Sequence, residues 1–278
     1  MKLRLSCLLL LVACFGFAQT NNPFTSRMYC AWGYNAEWFT SSTIKISQPS
    51  LGNNYQLKNI TGNDNPGWTL HLLQKPLTVP QYNYRFGFFL KKHPSWGFEL
   101  GFDHTKFQLT IGENIHWVGT VNNRHLDTNL NVVDSYFHWK LNNGANFFCF
   151  NVMKRFYLCG TKNGHFKLFN IYKFGAGPTV PHVENTLMGM PNNAHFQPGG
   201  WNVGFEANYR LEIYDYLYVD IAQKADYARY FGLRCYDGTA KQAFGCYEVM
   251  ATLGFMLPYK PFWVKDKTAA AQATVTPN

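Results

Sequence analysis

Residues 201–224 read Trp-Asn-Val-Gly-Phe-Glu-Ala-Asn-Tyr-Arg-Leu-Glu-Ile-Tyr-Asp-Tyr-Leu-Tyr-Val-Asp-Ile-Ala-Gln-Lys. Between Trp201 and Leu211, every second residue is aromatic or aliphatic, and the residues between them are small, polar or charged. Side chains of a β-strand point alternately to two faces, so this period of two predicts strand rather than helix. The segment is therefore expected to form two amphipathic strands joined by a short turn at Tyr214-Asp215-Tyr216.

Residues 1–18 have the pattern of a secretory signal peptide. Lys2 and Arg4 form a basic start, an apolar run follows, and Gly16-Phe17-Ala18 fits a small-x-small cleavage site. The apolar run is too short to be a transmembrane helix. An alternative interpretation is a lipobox, Leu11-Val-Ala-Cys14, which would place a lipid on Cys14.

Aromatic residues make up 18% of the chain, with 24 Phe, 17 Tyr and 8 Trp. Their alternate placement behind an export signal is typical of an outer-membrane β-barrel, which is apolar toward lipid and polar toward its lumen. The formal net charge is +9. Its Lys and Arg residues are scattered, which argues against nucleic-acid binding but leaves contact with anionic lipopolysaccharide open.

The pattern predicts an all-β, closed, antiparallel up-and-down transmembrane β-barrel. Its eight strands are expected at 28–40, 81–91, 96–111, 145–157, 166–181, 201–212, 217–230 and 246–257. Short links at 92–95, 158–165 and 213–216 would be periplasmic turns, and long links at 41–80, 112–144, 182–200 and 231–245 would be extracellular loops. Ten strands are the alternative, because Thr69–Leu73 or Tyr136–Leu141 could add a hairpin. The barrel would occupy 28–257, between an extension at 19–27 and a flexible periplasmic tail at 258–278.

Charged residues of both signs fall on the predicted lumenal face. They are Arg85, Glu99, Asp103, Glu206, Arg210, Asp220, Lys224 and Glu248. An isolated buried charge is costly, so these residues are expected to pair. If paired residues of the hairpin at 201–224 sum to 430, Arg210 faces Asp220 and Glu206 faces Lys224, whereas a slip of one residue would turn the charges into lipid. The interior of an eight-stranded barrel is just wide enough for side chains to fill, which favours a plugged lumen over a gated one.

Five cysteines follow the signal peptide. Cys235 and Cys246 flank a turn-rich stretch, and an exported protein can keep disulfides, so we predict that this pair staples the loop at 231–245. In that loop, Tyr230, Phe231, Arg234, Tyr236 and Lys241 are candidates for contact with lipopolysaccharide or a protein partner, or they only shape the loop. No Cys/His spacing resembles a zinc site, and we predict no metal and no cofactor.

A lipid-modifying hydrolase, such as a lipid A deacylase, is one alternative function. Such an enzyme needs a serine, a histidine base and an orienting group. His182, Glu184, Asn192 and Asn193 fall near the predicted outer rim, and His104 falls on the third predicted strand, but no serine lies in a Gly-x-Ser-x-Gly context. A pore or transporter is the other alternative, and it would require ten strands or more.

The chain resembles the small OmpA/OmpX-like outer-membrane barrels, and most closely a group of uncharacterised barrels from Bacteroidota-type bacteria. Three stretches carry the resemblance: Pro80-Gln-Tyr-Asn-Tyr-Arg-Phe-Gly-Phe-Phe-Leu90, Gly101-Phe-Asp-His-Thr-Lys-Phe107 and Phe174-Gly-Ala-Gly-Pro-Thr-Val-Pro-His-Val-Glu184. The resemblance implies a fold and a membrane and gives no catalytic residues. We predict a monomeric barrel with a structural or surface-interaction role, surrounded by outer-membrane lipid and recognising partners through its extracellular loops.

Overall fold

The computed structural model describes residues 24, 27–64, 81–141, 144–192 and 195–258. The predicted signal peptide, the lipobox cysteine and nearly all of the C-terminal tail lie outside these residues. The described strands are β1 (Arg27–Phe39), β2 (Ser42–Gln48), β3 (Asn53–Ile60), β4 (Gly62–Asp64), β5 (Tyr82–Phe89), β6 (Trp96–Asp103), β7 (Phe107–Leu109), β8 (Asn114–Val121), β9 (Arg124–Asn131), β10 (Phe137–Leu141), β11 (Phe147–Gly160), β12 (Phe166–Thr179), β13 (His182–Leu187), β14 (Met190–Pro191), β15 (His195–Phe196), β16 (Gly200–Ile213), β17 (Leu217–Cys235) and β18 (Gly238–Pro258). One turn of 3-10 helix, Pro49–Leu51, interrupts them. Within the same residues, no helix has the length and apolar character needed to cross a membrane.

Eight strands pair in the order β1-β5-β6-β11-β12-β16-β17-β18, and β18 pairs again with β1. All of these pairings are antiparallel. We call these eight strands the ring. Each predicted strand range overlaps one of them, but the range 96–111 is too long. The ring strand β6 ends at Asp103, and Phe107–Leu109 forms β7 in another sheet.

The short links of the ring share one end, here called the turn end. They join β5 to β6, β11 to β12, and β16 to β17, the last through the predicted turn Tyr214-Asp215-Tyr216. Arg27 at the start of β1 also lies there, with its Nη2 3.5 Å from Oδ2 of Asp215. The opposite end is called the lid end.

The predicted long loops are wrong as loops, because the described residues contain nine further strands there, and a tenth, β7, lies just before the second of these links. β2, β3, β8 and β9 extend the ring's sheet from the lid end of β18, while β4, β7, β10, β13, β14 and β15 form a second sheet. The segment 231–245 is also no loop: β17 and β18 continue past the ring and meet at the two-residue turn Tyr236-Asp237. We call these ten strands, with the upper β17–β18 hairpin, the lid.

An apolar core joins the two lid sheets. Trp139 of β10 is 1% exposed and packs in one cluster with Phe107, Phe137 and Phe244. Its indole Nε1 donates a 2.9 Å hydrogen bond to Oε1 of Gln242 on β18. Since β10 pairs with β7 and β13 and not with a ring strand, it does not supply the additional barrel strand of the ten-strand alternative. The other proposed addition, Thr69–Leu73, lies outside the described residues.

The faces of the ring are apolar outside and polar inside. Outward side chains such as Ile221, Phe205 and Leu253 are at least half exposed. Exposed aromatic residues gather near each end: Trp38, Trp201, Tyr227 and Tyr247 toward the lid, and Trp96, Phe156, Phe166, Tyr214 and Tyr216 toward the turns. We call these two groups the aromatic belts.

Candidate functional site

The interior of the ring is aromatic at the turn end. Tyr29, Phe89, Phe169 and Tyr218 are buried there in one cluster. The guanidinium of Arg210 lies 3.8 Å from the Tyr218 ring centroid and 4.4 Å from that of Tyr29. A cation over an aromatic face is attracted to the ring, so this layer packs around a charge without excluding it.

A second arginine closes the same layer. The guanidinium of Arg155 lies 3.8 Å from the Phe89 ring centroid, and its Nη1 is 3.2 Å from Oε1 of Glu212. Both side chains of this ion pair are 1% exposed. The turn end of the interior is therefore filled by aromatic rings and paired arginines.

The predicted register of the β16–β17 hairpin is confirmed. Arg210 is directly opposite Asp220, and Glu206 is directly opposite Lys224. The first pair forms an ion pair at 2.8 Å. The second pair exchanges partners: Oε1 of Glu206 lies 2.9 Å from Nζ of Lys173, and Nζ of Lys224 lies 2.7 Å from Oδ2 of Asp103. Lys173 and Glu206 are opposite one another on neighbouring strands, whereas Lys224 reaches across the ring from β17 to β6.

Glu99 lies at the centre of the interior. Its carboxylate accepts hydrogen bonds from Lys173 Nζ at 2.8 Å, from the Tyr29 hydroxyl at 2.6 Å and from Asn151 Nδ2 at 3.1 Å. Arg85 lies beside it, with Nη2 2.6 Å from Oδ1 of Asp103. The eight charged residues predicted to face the lumen are all buried.

Five further buried charges were missed from the sequence. They are Glu37, Arg155, Lys173, Glu212 and Asp226. The strand parity that located the other eight also applies to them: Asp226, for example, follows Lys224 by two residues on β17. The signal was therefore present in the sequence for these residues as well.

Glycine provides space for this network. A Cβ atom at Gly204 would lie 2.1 Å from Oδ1 of Asp226, and one at Gly254 would lie 2.1 Å from the Tyr218 ring. Both distances are far shorter than a van der Waals contact. Inward-facing glycines therefore admit the large buried side chains on the strands beside them.

The predicted disulfide is wrong. All five described cysteines are free. Cys235 is opposite Gly238 at the hairpin turn, whereas Cys246 is opposite Asp226, eight positions farther along β18. The two cysteines flank a continuous hairpin and not a loop, so their Cα atoms are much farther apart than the roughly 7 Å that a disulfide can span.

One predicted surface contact is also wrong. Tyr230 is 1% exposed, and its hydroxyl donates a 3.1 Å hydrogen bond to the carbonyl of Ala145 inside the lid. Phe231, Arg234, Tyr236 and Lys241 are exposed. Tyr230 continues the inward row of Lys224 and Asp226, and the β-bulge between Tyr230 and Leu233 then reverses the alternation, so that Arg234 faces outward although its number has the same parity.

The histidines considered for catalysis occupy structural positions. Nδ1 of His104 lies 2.9 Å from Oδ1 of Asn146, and its ring stacks on Tyr82. Burial lowers the pKa of His104. His182 lies against Phe196, and burial lowers its pKa as well.

Three of the described serines make hydrogen bonds to groups other than histidine. Ser50 donates to Asp237, Ser95 accepts from Lys154 at 3.2 Å, and Ser42 accepts from Gln242 at 3.1 Å. None of these contacts brings a serine hydroxyl to a histidine. The geometry thus adds no support to the hydrolase alternative.

Comparison with models of known protein families gives no match, and no curated protein matches the chain. Among solved structures, the chain is similar to Ail, the attachment invasion locus protein of Yersinia pestis, whose structure was determined in complex with the heparin analogue sucrose octasulfate. The identity is 11% and the TM-score 0.29, over 83% of this chain and 99% of that one. A TM-score this low does not establish a shared fold. The resemblance to barrels of Bacteroidota-type bacteria remains a prediction.

Proposed function

We propose that the chain is an eight-stranded outer-membrane β-barrel with a closed lumen and a folded extracellular lid, and that it acts as a structural and surface-interaction protein of the envelope. The main support is the inverted polarity of the ring. Its outward face carries exposed Phe, Leu, Ile and Val, while its interior holds charged residues less than 6% exposed. Water would penalise such an outer surface, whereas lipid would solvate it.

The aromatic belts support the same placement. Tyr227 of β17, toward the lid, lies eleven positions after Tyr216 of the turn that precedes this strand. At about 3.3 Å per residue and a tilt of about 40–45°, this segment spans roughly 25 Å, the height of the apolar band of an outer-membrane barrel. The belts would lie at the two membrane interfaces, with the turn end in the periplasm.

The filled interior argues against a pore. Buried ion pairs link β5, β6, β12, β16 and β17 across the ring, and the lid core covers its upper end. An eight-stranded barrel leaves no aqueous channel once side chains fill it. The surface-interaction role therefore falls to the lid.

A basic row on the lid fits lipopolysaccharide. Lys241 of β18 is directly opposite Lys45 of β2, and both are exposed. Arg229, also exposed, lies two residues beyond Tyr227 of the lid-end belt. Like charges directly opposite one another destabilise a sheet, so their placement just above the membrane boundary suggests an anionic partner.

The first experiment compares boiled and unboiled outer-membrane fractions by gel mobility. A folded barrel resists detergent, so we expect a heat-dependent shift, together with no added conductance in a planar bilayer. Stepwise conductance would favour the pore, and a changed mass of lipid A or phospholipid would favour the hydrolase. A soluble periplasmic protein without a shift would overturn the proposal.

A second experiment tests the lipopolysaccharide contact. The double substitution Lys45→Glu with Lys241→Glu should lower the amount of lipopolysaccharide that co-purifies with the folded protein. Lys92→Glu and Lys162→Glu at the turn end provide a matched charge reversal. Equal retention by both double variants would assign the basic row to ordinary solvated charge.

A further inference from the structure

The ring interior contains a surplus of acid. Among the buried residues that the structure describes there are eight carboxylates and five Lys or Arg, a difference of three. The carboxylates are Glu37, Glu99, Asp103, Glu206, Glu212, Asp220, Asp226 and Glu248, and the cations are Arg85, Arg155, Lys173, Arg210 and Lys224. A buried carboxylate without a cation is costly, so something must neutralise the surplus.

The surplus is concentrated where β18 meets β1. Glu37 and Glu248 are directly opposite one another across these strands, and both face inward. Cys246 lies two residues before Glu248 on the same face and is 3% exposed. One ligand atom from each of Glu37, Cys246 and Glu248 lies within 4.8 Å of the other two.

Glu248 is the second, independent observation. Its side chain is fully buried, and among the described residues no N–H group donates to either carboxylate oxygen; the side chain in hydrogen-bonding range is another acid, Asp226. The charges acting on it come from Asp103, Glu37 and Asp226 on the acidic side and from Lys224 on the basic side. Lys224 already forms ion pairs with two other carboxylates, since its Nζ contacts Asp103 at 2.7 Å and Asp226 at 3.0 Å.

The remaining surroundings are compatible with an added cation. Glu37 Oε1 accepts a 2.8 Å hydrogen bond from Asn35, and the neutral Thr105 hydroxyl is also in hydrogen-bonding range of the carboxylate, but neither group brings a positive charge. From the lid, Lys106 acts on Glu37, but it acts more strongly on Asp64. Lys106 therefore brings one positive charge and Asp64 one negative charge to this region, so together they leave the surplus of buried acid unchanged.

We propose that Glu37, Cys246 and Glu248 form a buried binding site for a divalent metal of the zinc class. A thiolate and carboxylates are ligands that zinc accepts, whereas magnesium and calcium avoid sulfur. Ligand atoms around tetrahedral zinc lie about 3.3–3.8 Å apart, so side-chain movements of about 1 Å would close the set around the ion. The metal would join the two strands that complete the ring.

The test measures bound metal on the detergent-extracted, folded protein. The protein is prepared without chelator, exposed to equimolar zinc chloride, and desalted before elemental analysis. We expect about one zinc per chain for the wild type, and at least a tenfold lower occupancy for Glu248→Gln and for Cys246→Ser. Cys149→Ser, which removes another buried interior thiol, is the matched control and should keep the metal.

Cobalt(II) loading provides a readout that depends on the thiol. A sulfur-to-cobalt charge-transfer band in the near ultraviolet is expected for the wild type and for Cys149→Ser, and it should be absent for Cys246→Ser. If Glu248→Gln fails to migrate as folded protein, the metal content and the charge-transfer band of Cys246→Ser, compared with those of Cys149→Ser, decide whether the site exists. Less than 0.1 metal per wild-type chain, or equal binding by all folded variants, would overturn the site and leave protons as the neutralising species.

Discussion

Arg210 and Asp220 face one another across the β16–β17 hairpin and form two parallel hydrogen bonds, from Nε to Oδ1 at 2.9 Å and from Nη2 to Oδ2 at 2.8 Å. Arg210 is fully buried and Asp220 is 3% exposed. Asn208 Nδ2 also donates to Oδ2 of Asp220 at 3.0 Å. This bidentate pair holds the register of the hairpin and connects the aromatic layer to the charged network.

Arg210→Met should therefore destabilise the barrel by about 3–5 kcal/mol, because it leaves the Asp220 carboxylate buried without its cation. Urea unfolding in detergent micelles measures this loss. The pair Arg210→Met with Asp220→Asn should recover part of it, and the exposed Arg229→Met is the control. A single variant as stable as the double variant would contradict an energetic role for the pair.

The strand positions of the ring were accessible from the sequence because lipid and lumen impose a strict period of two on every ring strand. In β17, the alternation from Tyr218 to Tyr230 marks each inward residue, and the three-residue turn fixes the register. Parity also located Arg85 and Glu248. It did not show which charges touch, since Lys224 bonds Asp103, a residue 121 positions away in the chain.

The lid could not be derived in the same way. The strands of its second sheet are short, with three residues each in β4 and β7, so alternation has little length in which to show. The turn-rich composition of 236–245 suggested a loop, yet Asp237 with φ 48° closes a two-residue hairpin there. The disulfide prediction failed for this reason. It assumed a loop, whereas β17 and β18 continue as paired strands, and Gln242 of β18 accepts a hydrogen bond from Trp139 of the second sheet.

Trp139→Ala should open the lid without unfolding the ring. The indole is 1% exposed and bonds Gln242, so its removal is expected to cost the lid about 3–5 kcal/mol. Limited proteolysis of intact cells should then cleave the lid at least tenfold faster, while the heat-dependent gel shift persists. Tyr136→Ala, at a residue 40% exposed, is the control. If the substitution abolishes both the gel shift and the resistance to protease, the lid and the ring unfold as one unit.

His104 should make the protein sensitive to mild acid. Burial lowers its pKa in the folded state, while the unfolded value is about 6.5. The unfolded chain thus takes up a proton that the folded chain rejects, and stability falls as the pH drops below about 6.5, by up to about 1.4 kcal/mol per pH unit, until the folded pKa is reached. His104→Gln should reduce the change in the urea midpoint between pH 7 and pH 5. His93→Gln, which removes an exposed imidazole, is the matched control and should leave that change as it is in the wild type. An unchanged slope in His104→Gln would assign the acid sensitivity to other groups.

Ile221→Arg separates a membrane-embedded ring from a soluble one. Ile221 is 52% exposed on the outer face of β17, five residues from Tyr216 and six from Tyr227, and therefore near the middle of the band between the aromatic belts. An arginine at the bilayer midplane is expected to cost about 2–4 kcal/mol, measured as the urea midpoint of folding into phospholipid vesicles. Val133→Arg, at a lid residue 54% exposed, should change stability by no more than about 0.5 kcal/mol. If both substitutions are equally mild, the outer face of the ring does not contact lipid, and its exposed aromatic residues must instead be covered by another protein surface.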